Sequence, residues 1–81
     1  MSADAVALDR LPAGAAAVVC RLHGGDELAQ RLAALGLTPG ARVVMLQNSR
    51  HGPLLVGVRN TRLALGRGEA AKVMVQEGAA P

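Results

Sequence analysis

The sequence contains no Phe, Tyr or Trp, a single cysteine, and no apolar run long enough to cross a bilayer. Each absence excludes a class of function. Single-stranded nucleic-acid platforms stack bases on aromatic rings, and grooves for proline-rich peptides are lined by them; neither activity fits this composition. The lone Cys20 rules out an intramolecular disulfide and any CxxC metal or redox motif, which fits a reducing cytoplasm. The longest uncharged run, Leu11 to Cys20, is about half the ~20 residues a spanning helix needs, and Pro12 and Gly14 interrupt it. The opening MSADAVALDR begins acidic and lacks the basic start and apolar stretch of a secretory signal. A soluble, cytoplasmic chain is expected.

Half of the 81 residues are apolar, almost all of them Ala, Val and Leu. A chain this short makes one domain and buries only about 60–65% of the surface its unfolded form exposes. Its stability must therefore come from many aliphatic contacts, roughly 1.5–3 kcal/mol for each fully buried Val or Leu. Nine Lys and Arg against six Asp and Glu give a net charge of +3. The bases stand singly along the chain rather than in a run, so a solvated surface is expected and a nucleic-acid partner is not.

Residues 1–10 carry little pattern and are expected to be a disordered lead. Pro12-Ala13-Gly14 reads as a turn, and Ala15 to Leu22, with the β-branched pair Val18-Val19 between Pro-Gly and Gly-Gly, reads as a buried strand of undetermined phase. After Gly24-Gly25, the segment DELAQRLAAL places Leu28, Leu32 and Leu35 on one helical stripe with Ala29 and Ala33 beside them. Asp26 and Glu27 occupy its first turn, where carboxylates favour the unpaired amides and the positive end of the helix dipole. Gly36 stands where a left-handed residue closes a helix, and Leu37 follows where the accompanying apolar contact is made. Thr38-Pro39-Gly40 then has the Pro and Gly spacing of a type II turn. From Ala41 to Gln47, Val43 and Met45 share one face and Arg42, Val44 and Leu46 the other; beyond the polar turn NSRHGP, Leu54, Val56 and Val58 return in phase as an antiparallel hairpin. Asn60 is expected to take positive φ at a tight connection into a strand over Thr61 to Leu65. Gly66 to Lys72 is read as one helical turn, Val73 to Gln76 as the last strand with Val73 and Val75 inward, and residues 77–81 as a frayed tail. Five short strands and one inserted helix predict a small closed β-barrel, which hides sheet edges economically.

The segments LGLTPGARV and GPLLVGVRNTRLALGRGEAAKVMV give the chain a family resemblance. In order and spacing, Gly36-Leu37-Thr38-Pro39-Gly40, Leu63-Ala64-Leu65 and Glu69-Ala70 resemble the pattern of the ferrous iron transport protein A (FeoA) family, over about Leu11 to Gln76. Asn60 stands where that family often has Gly. The resemblance implies a mainly β, SH3-like five-stranded barrel over residues 11–76, with a short helical insertion after the first strand. It also implies a small cytoplasmic accessory of a ferrous iron permease, bound to the permease's GTP-binding cytoplasmic part and recruited through it to the inner face of the membrane. The same domain occurs in metal-responsive repressors, so a regulatory role in transcription is the alternative, with a weak metal-binding chaperone as a third.

Cys20, His23 and His51, with Asp26 or Glu27, are the only candidate soft or borderline metal ligands. Cys20-x-x-His23 is one weak pair, with no second pair to complete a tetrahedral set, so neither metal nor cofactor is expected. His23 or His51 as a base for Ser49 or Cys20 lacks any nucleophile motif, and GRGEAAK lacks the Walker spacing, so an enzyme is not expected. The second face of the hairpin is more informative. With Val43, Met45, Leu54, Val56 and Val58 inward, alternation turns Val44, Leu46 and Leu55 outward beside Gly57. Either the inserted helix or its Leu37 corner covers these three, or they form a docking patch, rimmed by Arg42 and Arg59, for another protein or a second copy of the chain.

Overall fold

The computed structural model describes residues 5–78. Its elements are β1 (Val6–Ala7), a 3-10 turn (Leu8–Arg10), β2 (Ala16–Leu22), α1 (Gly25–Ala34), β3 (Arg42–Asn48), β4 (Leu54–Val58), β5 (Thr61–Leu65), α2 (Arg67–Ala70) and β6 (Val73–Glu77). All strand pairs are antiparallel, in the order β1-β6-β2-β3-β4-β5. The expected mainly β architecture with one inserted helix is present, with a sixth strand and without closure: among the described residues β1 and β5 do not pair, so the coiled sheet keeps two edges.

The extra strand lies in the lead expected to be disordered. Val6 and Ala7 pair with Val75 and Met74, and Leu8 and Leu11 are fully buried. The lead is held by two side chains from elsewhere. The Asn48 amide donates to the carbonyls of Asp9 (3.0 Å) and Leu11 (2.8 Å), and the Arg67 guanidinium donates to the Asp9 carbonyl (3.2 Å). Two buried leucines and three hydrogen bonds outweigh the weak local propensity that suggested disorder. At the other end, Glu77 pairs with Ala17 and the Gly78 amide donates to the Ala16 carbonyl (3.0 Å), so the first two residues of the expected frayed tail continue the ladder. Residues 1–4 and 79–81, the remainder of those two expectations, lie outside the described residues.

The corner between α1 and β3 forms as its glycines require. Gly36 has φ 97°; its amide donates to Ala33 and that of Leu37 to Leu32, both at 2.9 Å, the paired bonds of a Schellman cap. The reversal changes which leucines are buried. Leu32 and Leu37 are fully buried, whereas Leu35 is 42% exposed, because the helix ends at Ala34 and Leu35 already belongs to the cap. Thr38-Pro39-Gly40-Ala41 then closes a turn with Gly40 at φ 93° and the Ala41 amide on the Thr38 carbonyl (2.9 Å). The turn docks on β2: the Gly40 amide donates to the Val19 carbonyl (2.7 Å) and the Val19 amide to Ala41 (2.9 Å).

The core is aliphatic. Ala17 and Val19 from β2, Val43 and Met45 from β3, Leu54, Val56 and Val58 from β4, Leu65, Val73 and Val75 meet Leu32, Leu37, Leu8 and Leu11. This fixes the phase of β2, with Ala17 and Val19 inward. One local expectation changes residue: positive φ at the β4–β5 connection belongs to Arg59 (φ 58°), not Asn60. Val58 pairs with Thr61, so only two residues connect the strands, and positive φ at the first alone is the type II′ pattern.

Candidate functional site

The outer face of β3, β4 and β5 is set by register. Ala16, Val44, Gly57 and Arg62 stand opposite one another across four strands, a row spanning about 14 Å at the usual interstrand spacing. The adjacent row pairs Leu55 with Ala64 and Gln47. Between the rows β3 carries one extra residue: Met45 pairs with Val56 but Gln47 with Leu55, leaving Leu46 without a partner in a bulge. A bulge resets alternation. Leu46 and Gln47 are both exposed, and Asn48 turns to the inner side, where its amide meets the lead. Leu46 lies over Gly57; a Cβ on that glycine would stand 3.5 Å from Leu46 Cδ1. A methyl at position 57 would just touch Leu46, and a larger side chain would compete with it for the same place.

Val44 and Leu46 stay 39% and 42% exposed, and Leu55 is half-buried. The Leu37 corner packs on β2 and into the core instead of over them. Arg42 is exposed beside Val44 on β3, and Arg59 is exposed in the β4–β5 connection. The register brings Arg42, Arg59 and Arg62 to the same end of this face. Residues 36–40 build the corner and are not part of the surface.

Arg62 and Ala64 belong to the surface although sequence alternation did not single them out, and so does a charge pattern that shows in the positions of the acids and bases along the chain. Between Leu28 and Gly68 there is no Asp or Glu, and there are six arginines. Two of these are engaged. Arg31 pairs with Glu69 at 2.5 Å, the one ion pair among the described residues, and Arg67 donates to the carbonyls of Ser49, Gly52 and Asp9. Arg42, Arg50, Arg59 and Arg62 remain exposed on the β3–β5 lobe. Four of the nine bases counted as scattered are therefore gathered in a stretch without acids.

The histidines and the cysteine do not come together. Cys20 is half-buried, with its thiol 3.7 Å from the Val18 carbonyl, and His23 and His51 are exposed on separate loops. Among the described residues no three His, Cys, Asp or Glu side chains converge. A cleft of about 560 Å³ between α1 and α2 is lined by Glu27, Leu28, Arg31, Glu69 and Lys72, of mixed charge. No helix of the described residues is long and apolar enough to cross a membrane.

The sequence profile of the FeoA domain matches residues 6–77, which takes in β1 and the 3-10 turn as well as the barrel. The chain belongs to the FeoA family. It is 30% identical over 64 residues, 79% of this chain and 77% of the other, to a Methanocaldococcus jannaschii protein named Fe(2+) transport protein A. The crystal structure of an iron uptake regulatory protein (FeoA) superposes with a TM-score of 0.87 at 35% identity, covering 91% of this chain and 99% of that one. FeoA of Stenotrophomonas maltophilia, described as a prokaryotic SH3 domain protein complexed with zinc, gives 0.76 at 38% identity, covering 88% and 89%. This FeoA-domain chain thus has an SH3-like fold and belongs to a family of small domains associated with ferrous iron transport.

Proposed function

We propose that this protein is a non-enzymatic accessory of a GTP-dependent ferrous iron permease, acting by protein–protein contact with the permease's cytoplasmic GTP-binding part. The observation that carries the reading is the outer face of β3–β5: Val44 and Leu46 are exposed and Leu55 half-buried on adjacent strands beside Gly57, with Arg42 and Arg59 at the rim. Contiguous apolar surface of this kind marks interaction sites on soluble domains. An apolar centre with an arginine rim also has the anatomy of a protein interface. Working at the permease, the protein would be recruited to the inner face of the membrane by this contact, without inserting into the bilayer.

The test is calorimetric titration of the permease's isolated GTP-binding part with the wild-type chain and with a Val44→Asp, Leu46→Asp double variant. Both side chains are substantially exposed, so unfolding of the variant should stay within a few degrees of wild type. Binding should fall at least tenfold. Equal affinity in a folded variant removes this face as the docking surface, and absence of any wild-type binding removes the accessory reading itself. Sedimentation of the same pair distinguishes the permease contact from self-association, which would be lost in the variant at concentrations where the wild type dimerises.

A further inference from the structure

We propose that the free edge of β5 takes up an extended, acidic segment of a partner protein as an additional antiparallel strand. The inference rests on the protein-binding reading above and specifies its mode. Because Val58 and Thr61 close a two-residue connection, the hydrogen-bonded pairs of this hairpin are Val58 with Thr61, Val56 with Leu63 and Leu54 with Leu65. The N–H and C=O groups of Arg62 and Ala64 therefore point away from β4, and β5 has no other neighbour in the sheet. Among the described residues no other backbone group hydrogen-bonds to this edge. It carries no proline and no bulge, two of the devices that normally blunt an edge strand, leaving Arg62 as the one charge upon it. The opposite edge, β1, is only two residues long and offers much less backbone.

The occupant follows from charge and from period-two alternation. Arg62 and Ala64 both face outward, level with Gly57 and Leu55 respectively. An incoming strand with an acidic residue opposite Arg62 and an aliphatic residue opposite Ala64 would meet complementary surface at both positions. β3, β4 and β5 carry no acid to compete, since none occurs between Leu28 and Gly68, Glu69 beyond the end of β5 is paired with Arg31, and Arg42 and Arg59 lie at the same end as Arg62. A second copy of β5 brings another Arg62 to the same edge and supplies no acid. A polyphosphate or an anionic lipid surface could engage the arginines but would leave the outward amides of Arg62 and Ala64 to water. The unpaired backbone is what favours a peptide.

The test uses the isotope-labelled full chain and two capped seven-residue peptides, one with glutamate and valine two residues apart so that both fall on one strand face, the other with lysine in place of the glutamate. Strand addition predicts that the glutamate peptide slows hydrogen exchange of the Arg62 and Ala64 amides at least tenfold, that the lysine peptide does not, and that Ala64→Pro abolishes the response while Ala64→Val retains it. Chemical-shift changes around the arginines without amide protection, or equal protection by phosphatidylglycerol vesicles or polyphosphate, would overturn it in favour of a charge-only surface. Should Ala64→Pro fail to fold, wild-type amide exchange still decides. With the GTP-binding part of the permease, wild-type binding that survives undiminished in folded Ala64→Pro sinks strand addition alone, whereas no wild-type binding sinks the accessory reading and leaves the peptide result to stand by itself.

Discussion

Substituting alanine at Gly36 and, separately, at Gly40 tests how the corner is held. Both residues have nearly the same left-handed φ, 97° and 93°, and moving an L-residue there costs roughly 1–2 kcal/mol. Both substitutions also restrict the unfolded chain equally, which offsets a few tenths to about 1 kcal/mol. These contributions cancel between the two variants. The difference lies in what the new methyl meets. At Gly40 nothing stands within 4 Å, whereas at Gly36 the added Cβ would be 3.2 Å from Val58 Cγ1. Val58 is 1% exposed and β-branched, so it has no free rotamer to escape into, and overpacking of this kind costs at least about 1 kcal/mol. Gly36→Ala should therefore be the less stable variant by about 1 kcal/mol, a melting temperature lower by roughly 4–8 °C in a domain of this size. With no Tyr or Trp for fluorescence, the assay is urea unfolding followed by circular dichroism, reading the midpoint at constant slope. Equal stabilities would refute the close approach of the helix end to β4, and a neutral Gly36→Ala would refute the Schellman cap.

Two further predictions concern the lead and the β4–β5 connection. Asn48→Ala removes both donors to the Asp9 and Leu11 carbonyls and should cost about 1–3 kcal/mol, read as a lower urea midpoint together with faster amide exchange over residues 6–11; a loss of stability without faster exchange there would mean that Asn48 does not hold the lead. Arg59→Gly relieves positive φ in a non-glycine residue and should stabilise by roughly 0.5–1 kcal/mol, seen as a higher urea midpoint, and a lower one would show that the Arg59 side chain has a structural role.

What could be read from the sequence was whatever depended on short-range stereochemistry. Gly36, Pro39 and Gly40 impose the corner in any context, and the alternation of Val43, Met45, Leu54, Val56 and Val58 identifies the inner face of the hairpin because every second residue is aliphatic. What could not be read depended on partners distant in the chain. Val6 and Ala7 have no strand signal of their own and become a strand only because β6 offers them an edge. The helical stripe implied Leu35 in the core, but helical periodicity takes no account of a cap that ends the helix before it and buries Leu37 instead. At the β4–β5 connection the usual tolerance of Asn for positive φ pointed to Asn60, while the pairing of Val58 with Thr61 places that conformation one residue earlier. The outward direction of Val44 and Leu46 was legible; the basic lobe around them required taking the acids and bases by position along the chain as well as by total.

The bulge at Leu46 joins the candidate surface to the stability of the fold. Strict alternation along β3 would continue inward from Val43 and Met45 to Gln47 and leave Asn48 facing solvent. One extra residue reverses this: Leu46 keeps its outward place over Gly57, Gln47 joins it in solvent, and Asn48 turns inward to the Asp9 and Leu11 carbonyls. The same local irregularity that leaves Leu46 unpaired on the docking face therefore supplies the amide that fixes the N-terminal lead. A bulge also increases twist and bends its strand, so the hydrogen bonds of β3 toward β2 and its lead-in end at Met45, which bonds Ala15 and Gly14, while β3 stays paired with β4 as far as Asn48. The exposed leucine is thus held on a strand fixed from both faces, by Gly57 beneath it and by the lead behind it, and a partner that docks there meets a surface already ordered before contact.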